Sequence, residues 1–284
     1  MIKLIASDLD GTLFYPKRRL TLLTRKNTKF LQDFHAAGGK VCLVTGRERR
    51  MSMKVQKKLG FDVSVCGCNG AFIYEHGKFV KSHPIPKEDL IDVYMYIKNN
   101  YGVIGFLVFD EGDEIKIAVA NKASIVPYLG IFINLFNGKY AEKYIVSEKD
   151  VIHNIVKGGV FKLMPIFGIS KSACIRSLQA GIALKQKYKD RLTVVDAKVS
   201  LEITAHGVSK SNALEEYISD LGISKDEVAV VGDSYNDLSL FENFENSFGM
   251  ANGEEVILNK ASHIVSSVSD LRGYVLDENN RLKE

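Results

Sequence analysis

Two carboxylates set two residues apart, Asp8 and Asp10, end the first apolar run of the chain, and Gly11 and Thr12 follow at once. Residues two apart on extended backbone share a face, so both acids can point near one spot. Carboxylates held that close repel unless a cation or a proton lies between them. The pair therefore asks for a metal ion, a proton-transfer role, or both. Gly11 lets the chain turn sharply, and Thr12 is expected to hydrogen-bond back into that turn. A D-x-D-G stretch also opens calcium loops, but the EF-hand pattern wants Gly where Leu13 stands and Glu where Arg19 stands. A plain turn rich in Asp and Gly is the other reading of this stretch taken alone.

Two later apolar runs end in the same manner. Lys40-Val41-Cys42-Leu43-Val44 stops in Thr45-Gly46-Arg47, and Glu227 to Val231 stops in Gly232-Asp233-Ser234-Tyr235-Asn236-Asp237. Lys210 opens an amphipathic helix with Ala213, Leu214, Tyr217, Ile218 and Leu221 on one stripe, closed by Gly222. If the three strands are parallel neighbours, these groups meet at one edge of a sheet. Carboxylates with other oxygen ligands suit Mg²⁺, which is usually shared with a phosphate. Lysine, threonine and N–H groups at turns and helix starts suit phosphate oxygens. The chemistry this points to is phosphoryl transfer with an Asp as nucleophile. Each residue alone has a plainer reading. A lone lysine at a helix start is usually solvated, and Asp237 could simply cap its helix. Gly207-Val208-Ser209-Lys210-Ser211 is not a P-loop, because its glycine stands too close to the lysine.

The elements that must position these groups fall into two textures. Up to Ala71 the chain reads strand, helix, strand, helix, strand with short loops, the pattern of a doubly wound parallel sheet. The first helix starts at Thr24 and carries Phe30, Leu31 and Phe34 on one face. A basic helix runs from about Glu48 to Leu59, with Arg49-Arg50 as a solvated end. A third strand covers Asp62 to Cys66. Near His83-Pro84-Ile85-Pro86 the texture changes, which suits a linker. Beyond it come a helix over Asp89–Asn100 and a hairpin of Val103–Phe109 and Glu114–Ala120. A helix through Phe136 and a strand over Tyr140–Val146 follow. Next are a strand over Val160–Phe167, a helix over Ser170–Lys187, and strands over Leu192–Asp196 and Ser200–Thr204. This mixture is an α+β module. The doubly wound texture then returns, with strands at Ser247–Met250 and His263–Ser266 around a helix from Glu254. The polar tail after Asp277 is expected to fray.

At 284 residues, with 46% apolar and 25% charged residues, the chain is an ordinary globular composition long enough for two moderate domains. A net charge of +4 is small for this length and gives no case for nucleic acid or a membrane surface. Met1 leads straight into the first strand, so no signal peptide is expected, and no apolar run approaches bilayer length. Cys42, Cys66, Cys68 and Cys174 do not make a disulfide framework, and Cys66-Gly67-Cys68 lacks the second pair a zinc site needs. The six histidines show no metal spacing. A cytoplasmic location is the expectation.

Asp8-Leu9-Asp10-Gly11-Thr12, Thr45-Gly46-Arg47, Lys210 and Gly232-Asp233-Ser234-Tyr235-Asn236-Asp237 together resemble the four motifs of the haloacid dehalogenase (HAD) superfamily. Asn69-Gly70-Ala71, the length of the insert, and Leu201-Glu202-Ile203 to Lys210 resemble its Cof-type, class IIB phosphatases. The resemblance covers essentially the whole chain. It implies a Rossmann-like doubly wound core over residues 1–82 and 206–284, with an inserted α+β cap over 83–205. It implies that Asp8 attacks phosphorus, while Asp10 protonates the leaving group and later deprotonates water. Asp8, the Asp10 carbonyl and Asp233 would ligate Mg²⁺, with Asp237 holding the ion's surroundings. Thr45, Gly46, Lys210 and Asn236 would cradle the phosphoryl oxygens, and Arg47 either faces the leaving group or caps its helix. The implied activity is Mg²⁺-dependent hydrolysis of a small phosphorylated metabolite such as a sugar phosphate. A phosphomutase or phosphotransferase, or a non-catalytic phosphometabolite-binding protein, are the alternatives. Where the family usually has Gly after the lysine and Met-x-Asn-Ala near the end, this chain has Ser211 and Met250-Ala251-Asn252-Gly253. Neither departure is expected to touch a group that performs chemistry.

Overall fold

The computed structural model describes residues 1–14, 23–112, 114–119, 143–197 and 199–283. The chain divides into two compact units, Met1–Lys81 with Ser209–Glu284, and Ser82–Val208.

The first unit begins with β1 (Leu4–Ser7), α1 (Arg25–Ala36), β2 (Lys40–Val44), α2 (Arg49–Leu59) and β3 (Ser64–Gly67). Every residue of β1 and β3, and all of β2 after Lys40, is buried. A strand covered on both faces has no polar face to show, which is why these read as unbroken apolar runs. α1 starts where the Thr24 hydroxyl accepts the Asn27 N–H at 3.1 Å, and it buries Phe30, Leu31 and Phe34. After β3 come β4 (Phe72–Glu75) and β5 (Lys78–Ser82), an edge hairpin that the sequence reading does not anticipate. Its turn takes positive φ at His76 (48°) and Gly77 (79°), as a tight two-residue hairpin requires. β5 alternates between exposed and half-buried positions, so it presents no apolar run to notice. The hairpin also corrects the solvated reading of Arg49, whose guanidinium lies 5.5 Å from the Tyr74 ring centre and 5.4 Å from that of Phe79.

The second unit contains α3 (Lys87–Asn100), β6 (Gly105–Asp110), β7 (Ile115–Val119), β8 (Tyr144–Val146), α4 (Glu148–Lys157), β9 (Val160–Ile166), α5 (Lys171–Lys187), β10 (Leu192–Ala197) and β11 (Ser200–Ala205). Its sheet runs β10-β11-β9-β6-β7-β8, antiparallel except for the β7–β8 pair. Tyr94 packs on Phe106, and Tyr96 on Tyr101 and Tyr188, so these tyrosines serve the unit's core. α4 was not expected. Ser147 caps it by accepting the Asp150 N–H at 3.1 Å, and only Val151 and Ile155 are buried, too short a stripe to stand out. The helix expected through Phe136 lies outside the described residues.

The chain then returns to the first unit with α6 (Lys210–Leu221), β12 (Val228–Gly232), α7 (Leu238–Asn243), β13 (Ser247–Met250), α8 (Glu255–Leu258), β14 (His263–Val265) and α9 (Arg272–Val275). The completed sheet is ordered β14-β13-β12-β1-β2-β3-β4-β5. β14 through β3 are mutually parallel, and the β3–β4 pair is antiparallel. This is a Rossmann-like doubly wound core. The tail does not fray as expected. Asp277 Oδ1 accepts the N–H groups of Asn279 (2.8 Å) and Arg281 (2.7 Å), and the Lys283 N–H returns to the Val275 carbonyl at 3.0 Å. Among the described residues, no helix is long and apolar enough to cross a membrane.

Candidate active site

β1 sits in the middle of the core sheet, with β12 on one side and β2 on the other. The three strands end level, because Ser7 is in register with Val231 and with Leu43. Asp8, Thr45 and Asp233 therefore emerge at one edge, although they are far apart in sequence. In open α/β sheets this carboxyl edge is where ligands bind.

The centre is an ion cluster. The Lys210 ammonium donates to Asp8 Oδ1 at 2.6 Å, to Asp237 Oδ1 at 2.6 Å and to Asn236 Oδ1 at 3.3 Å. The side chains of Lys210 and Asp237 are fully buried, and that of Asp8 is 6% exposed. Lys210 reaches this point from the first position of α6, whose cap is the Ser209 hydroxyl accepting the Asn212 N–H at 3.1 Å. Lys210 is thus a buried charge with two carboxylate partners, not the solvated lysine of the plainer reading.

Burial works against the Lys210 cation, but Asp237 and Asp8 outweigh it and hold its pKa above the ordinary lysine value. Burial pushes Asp8 well up from the usual carboxylate range. Lys210 opposes that rise, and Asp237, Asp10 and Asp233 reinforce it. For Asp233, burial and then the nearby Asp237 outweigh the Thr12 hydrogen bond and Lys210, and its carboxyl is pushed up to about 6. Acids raised by burial and by one another are what a cation would relieve.

Oxygen atoms of Asp8, Asp233 and Asp237 lie within 4.8 Å of one another. The donor set, hard oxygens on clustered acids, fits a small divalent ion. The three acids are not equivalent, however. Asp237 Oδ1 is taken by Lys210, and its Oδ2 accepts the N–H groups of Asp233 (3.0 Å) and Ser234 (3.1 Å). Asp237 is fitted to hold the lysine and the Gly232–Ser234 turn, which leaves Asp8 and Asp233 as the better-fitted ligands.

The turn after Asp8 is built for close approach. Gly11 has φ 83°, and a Cβ there would lie 2.1 Å from Asp233 Oδ2, so no other residue fits. The Thr12 hydroxyl donates not into its own turn, as the sequence reading expects, but to Asp233 Oδ1 at 2.8 Å. This bond ties the β1 turn to the β12 turn. Asn252 Nδ2 donates to the Gly11 carbonyl at 3.1 Å, and the Glu254 N–H to the Asp233 carbonyl at 2.7 Å. The Ala251–Glu254 loop therefore fastens both acidic turns through their main-chain carbonyls. The Asn in that stretch was the available signal. Ser211, by contrast, turns away and donates to Glu215 at 3.0 Å.

Thr45 is 1% exposed, and its hydroxyl accepts the Arg47 N–H at 3.2 Å. A Cβ on Gly46 would lie 2.9 Å from Asn69 Oδ1 and 3.8 Å from Asn236 Nδ2, so Gly46 stands between two amides. The Arg47 side chain turns to Asp10. Its Nε and Nη2 donate to Asp10 Oδ2 and Oδ1 at 2.6 and 2.7 Å, a two-pronged pair on a carboxylate whose side chain is 49% exposed. The structure thus gathers Asp8, Lys210, Asp233, Asn236 and Asp237 in one cluster. It places Thr45 and Gly46 on the neighbouring strand end, and pairs Asp10 with Arg47 at the solvent side.

A doubly wound core with acids and one buried lysine converging at the carboxyl edge of its central strands defines a class of hydrolases. The chain belongs to that class: residues 5–274 match the haloacid dehalogenase-like hydrolase family, of the Cof type. It is similar to the phosphatase YwpJ of Bacillus subtilis, with 26% identity covering 98% of this chain and 96% of the relative. It is also similar to the pyridoxal phosphate phosphatase YbhA of Escherichia coli, with 22% identity covering 93% of each. Among solved structures, TM0651 from Thermotoga maritima superposes with a TM-score of 0.78 at 21% identity, over 98% of this chain and 99% of that one.

Proposed function

We propose that this enzyme hydrolyses a small phosphomonoester through an aspartyl-phosphate on Asp8. The observation that carries the reading is the contact of Asp8 with Lys210 beside Asp233, since these residues come from three separate stretches of chain. Lys210 holds Asp8 Oδ1, which leaves Oδ2 to attack phosphorus as the P–O bond to the leaving group breaks. The Asp10 carboxyl gives its proton to the departing alkoxide. As a carboxylate it then takes a proton from the water that attacks the phosphorus of the intermediate, releasing inorganic phosphate and restoring Asp8. The Thr45 hydroxyl, the Gly46 N–H, Lys210 and the Asn236 amide stabilise charge growing on the phosphoryl oxygens. Mg²⁺ held by Asp8, Asp233 and the Asp10 carbonyl would supply neutralising charge at the same group.

The inserted unit acts in this reading as a cap that gives substrate selectivity. The substrate class is a small phosphorylated metabolite, which the activity of YbhA on pyridoxal phosphate supports. The test is release of inorganic phosphate from a panel of phosphomonoesters with no bisphosphate activator, which also separates hydrolysis from a mutase or phosphotransferase. Asp8→Asn is expected to abolish turnover while the protein stays folded. Chelation with EDTA is expected to stop the reaction, and added Mg²⁺ to restore it. Unchanged turnover by Asp8→Asn would remove Asp8 as nucleophile, and full activity in excess chelator would remove the metal.

A further inference from the structure

Directly after β3, Cys68 (φ 49°), Asn69 (φ 62°) and Gly70 (φ 99°) lie in the left-handed region one after another. Two of the three are not glycine, and such backbone persists only where its surroundings hold it. The surroundings here are the parts proposed to bind phosphate. The Asn69 N–H donates to the Thr45 carbonyl and the Cys68 N–H to the Arg47 carbonyl, both at 2.9 Å. The Asn69 carboxamide lies across Gly46, with Oδ1 2.9 Å from where a Cβ on Gly46 would stand. All three residues of the Thr45–Arg47 turn are thus touched by Cys68 and Asn69. On the other side, a Cβ on Gly70 would lie 2.2 Å from the Ser209 carbonyl and 2.9 Å from the Ala213 side chain. Ser209 caps the helix whose first residue is Lys210.

The left-handed turn is therefore wedged between the Thr45–Gly46 backbone and the helix start that carries the lysine. We propose that Asn69 is a positioning residue for the oxyanion site. Its backbone sets the spacing between the Thr45 turn and Lys210, and its carboxamide presses Gly46 into the orientation that aims the Gly46 N–H at the phosphoryl oxygens. The inference rests on the phosphatase reading and adds to it a residue, 7% exposed, to which that mechanism gives no role.

Asn69→Gly separates the two contributions, because glycine accepts the left-handed backbone and keeps the N–H while losing the carboxamide. The probe is orthovanadate, with affinity measured by titration in Mg²⁺ and with the melting temperature as a control on folding. Asn69→Gly is expected to melt within a few degrees of the wild type yet bind vanadate at least ~10-fold more weakly, about what one misdirected hydrogen bond costs in a buried site. Asn69→Asp keeps the shape but adds negative charge beside the anion, and is expected to bind more weakly still. The decisive measurement is a cycle with Gly46→Ala, whose new Cβ meets Asn69 Oδ1 as its one tight contact. Gly46→Ala is expected to weaken vanadate binding at least ~10-fold alone, but less than ~2-fold once Asn69 is Gly. A merely structural role would lower the melting temperature of Asn69→Gly and leave its vanadate affinity within ~2-fold of the wild type. Vanadate binding by Asn69→Gly within ~2-fold of wild type, or penalties that simply multiply, would overturn the inference alone. Failure of the wild type both to bind vanadate and to hydrolyse p-nitrophenyl phosphate would overturn the phosphatase reading and the inference with it.

Discussion

Replacing Lys210 by Met keeps most of the length and volume of the side chain and removes its charge and its donors. In the folded protein that charge is fully buried, 2.6 Å from Asp8 Oδ1 and 2.6 Å from Asp237 Oδ1. Removing one partner of a buried, hydrogen-bonded ion pair costs ~3–5 kcal/mol, because the other charge stays behind uncompensated. Here two carboxylates stay behind. Asp8 can relieve part of the loss by taking up a proton, since burial already pushes its carboxyl well up. The lower half of that range, about 3 kcal/mol, is therefore the expectation near pH 7.5. At ~2–4 °C of melting temperature per kcal/mol for a domain of this size, the fall is about 6–12 °C. The assay is thermal unfolding in EDTA, so that no metal ion takes the lysine's place.

A double-mutant cycle with Asp8→Asn then isolates the pair. Asparagine removes the Asp8 charge, so Lys210→Met is expected to cost at least ~1.5 kcal/mol less in that background. Asp237 is left unpaired in both backgrounds and cancels from the difference. A melting temperature within ~2 °C of the wild type, or additive penalties, would refute the reasoning that this lysine neutralises the cluster.

Two further expectations concern the acids themselves. Asp233 has a folded pKa of about 6, above its unfolded value, so its ionisation destabilises the metal-free protein above about pH 6. That penalty is relieved as pH falls through 6 toward 4. Asp233→Asn should therefore raise the melting temperature in EDTA at pH 7.5 by an amount equivalent to about 1–3 kcal/mol, with the gain fading by pH 5. A destabilised variant, or a gain unchanged between pH 5 and 8, would count against it, and added Mg²⁺ should stabilise the wild type but not the variant. Arg47 grips Asp10 through two parallel bonds that a lysine cannot reproduce. Arg47→Lys should lower kcat for a phosphomonoester by ~10–100-fold, nearly as far as Arg47→Ala, with KM little changed. A wild-type kcat in Arg47→Lys would leave the pair without a role in orienting Asp10.

What the sequence made legible follows from which interactions are local. β1, β2, β3 and β12 are covered on both faces, and that burial writes itself as short apolar runs any reader can find. The polar turns that end them carry acids and hydroxyls in spacings that already point to phosphoryl chemistry. The misses are of another kind. β5 and α4 bury too few residues to show a period. The partners of Thr12, Asn252 and Arg47 are 221, 241 and 37 residues away, and no local pattern encodes such a bond. Asn69 shows the limit most clearly. Its triplet Asn69-Gly70-Ala71 is visible as a resemblance, but the sequence gives no hint that its backbone is left-handed or that its amide lies on Gly46.

Glycine is the exception that joins the two kinds. Gly11, Gly46 and Gly70 each stand where a Cβ would strike a group from a distant stretch: Asp233, Asn69 and Ser209. Each of these glycines therefore records in the sequence that something must come close, without saying what. Taken together, those contacts link β1 to β12, β2 to the turn after β3, and that turn to α6. They bring elements on both sides of β1 close to one another near Asp8. In this site the glycines set the distances between charged groups, and the charged groups then do the chemistry those distances allow.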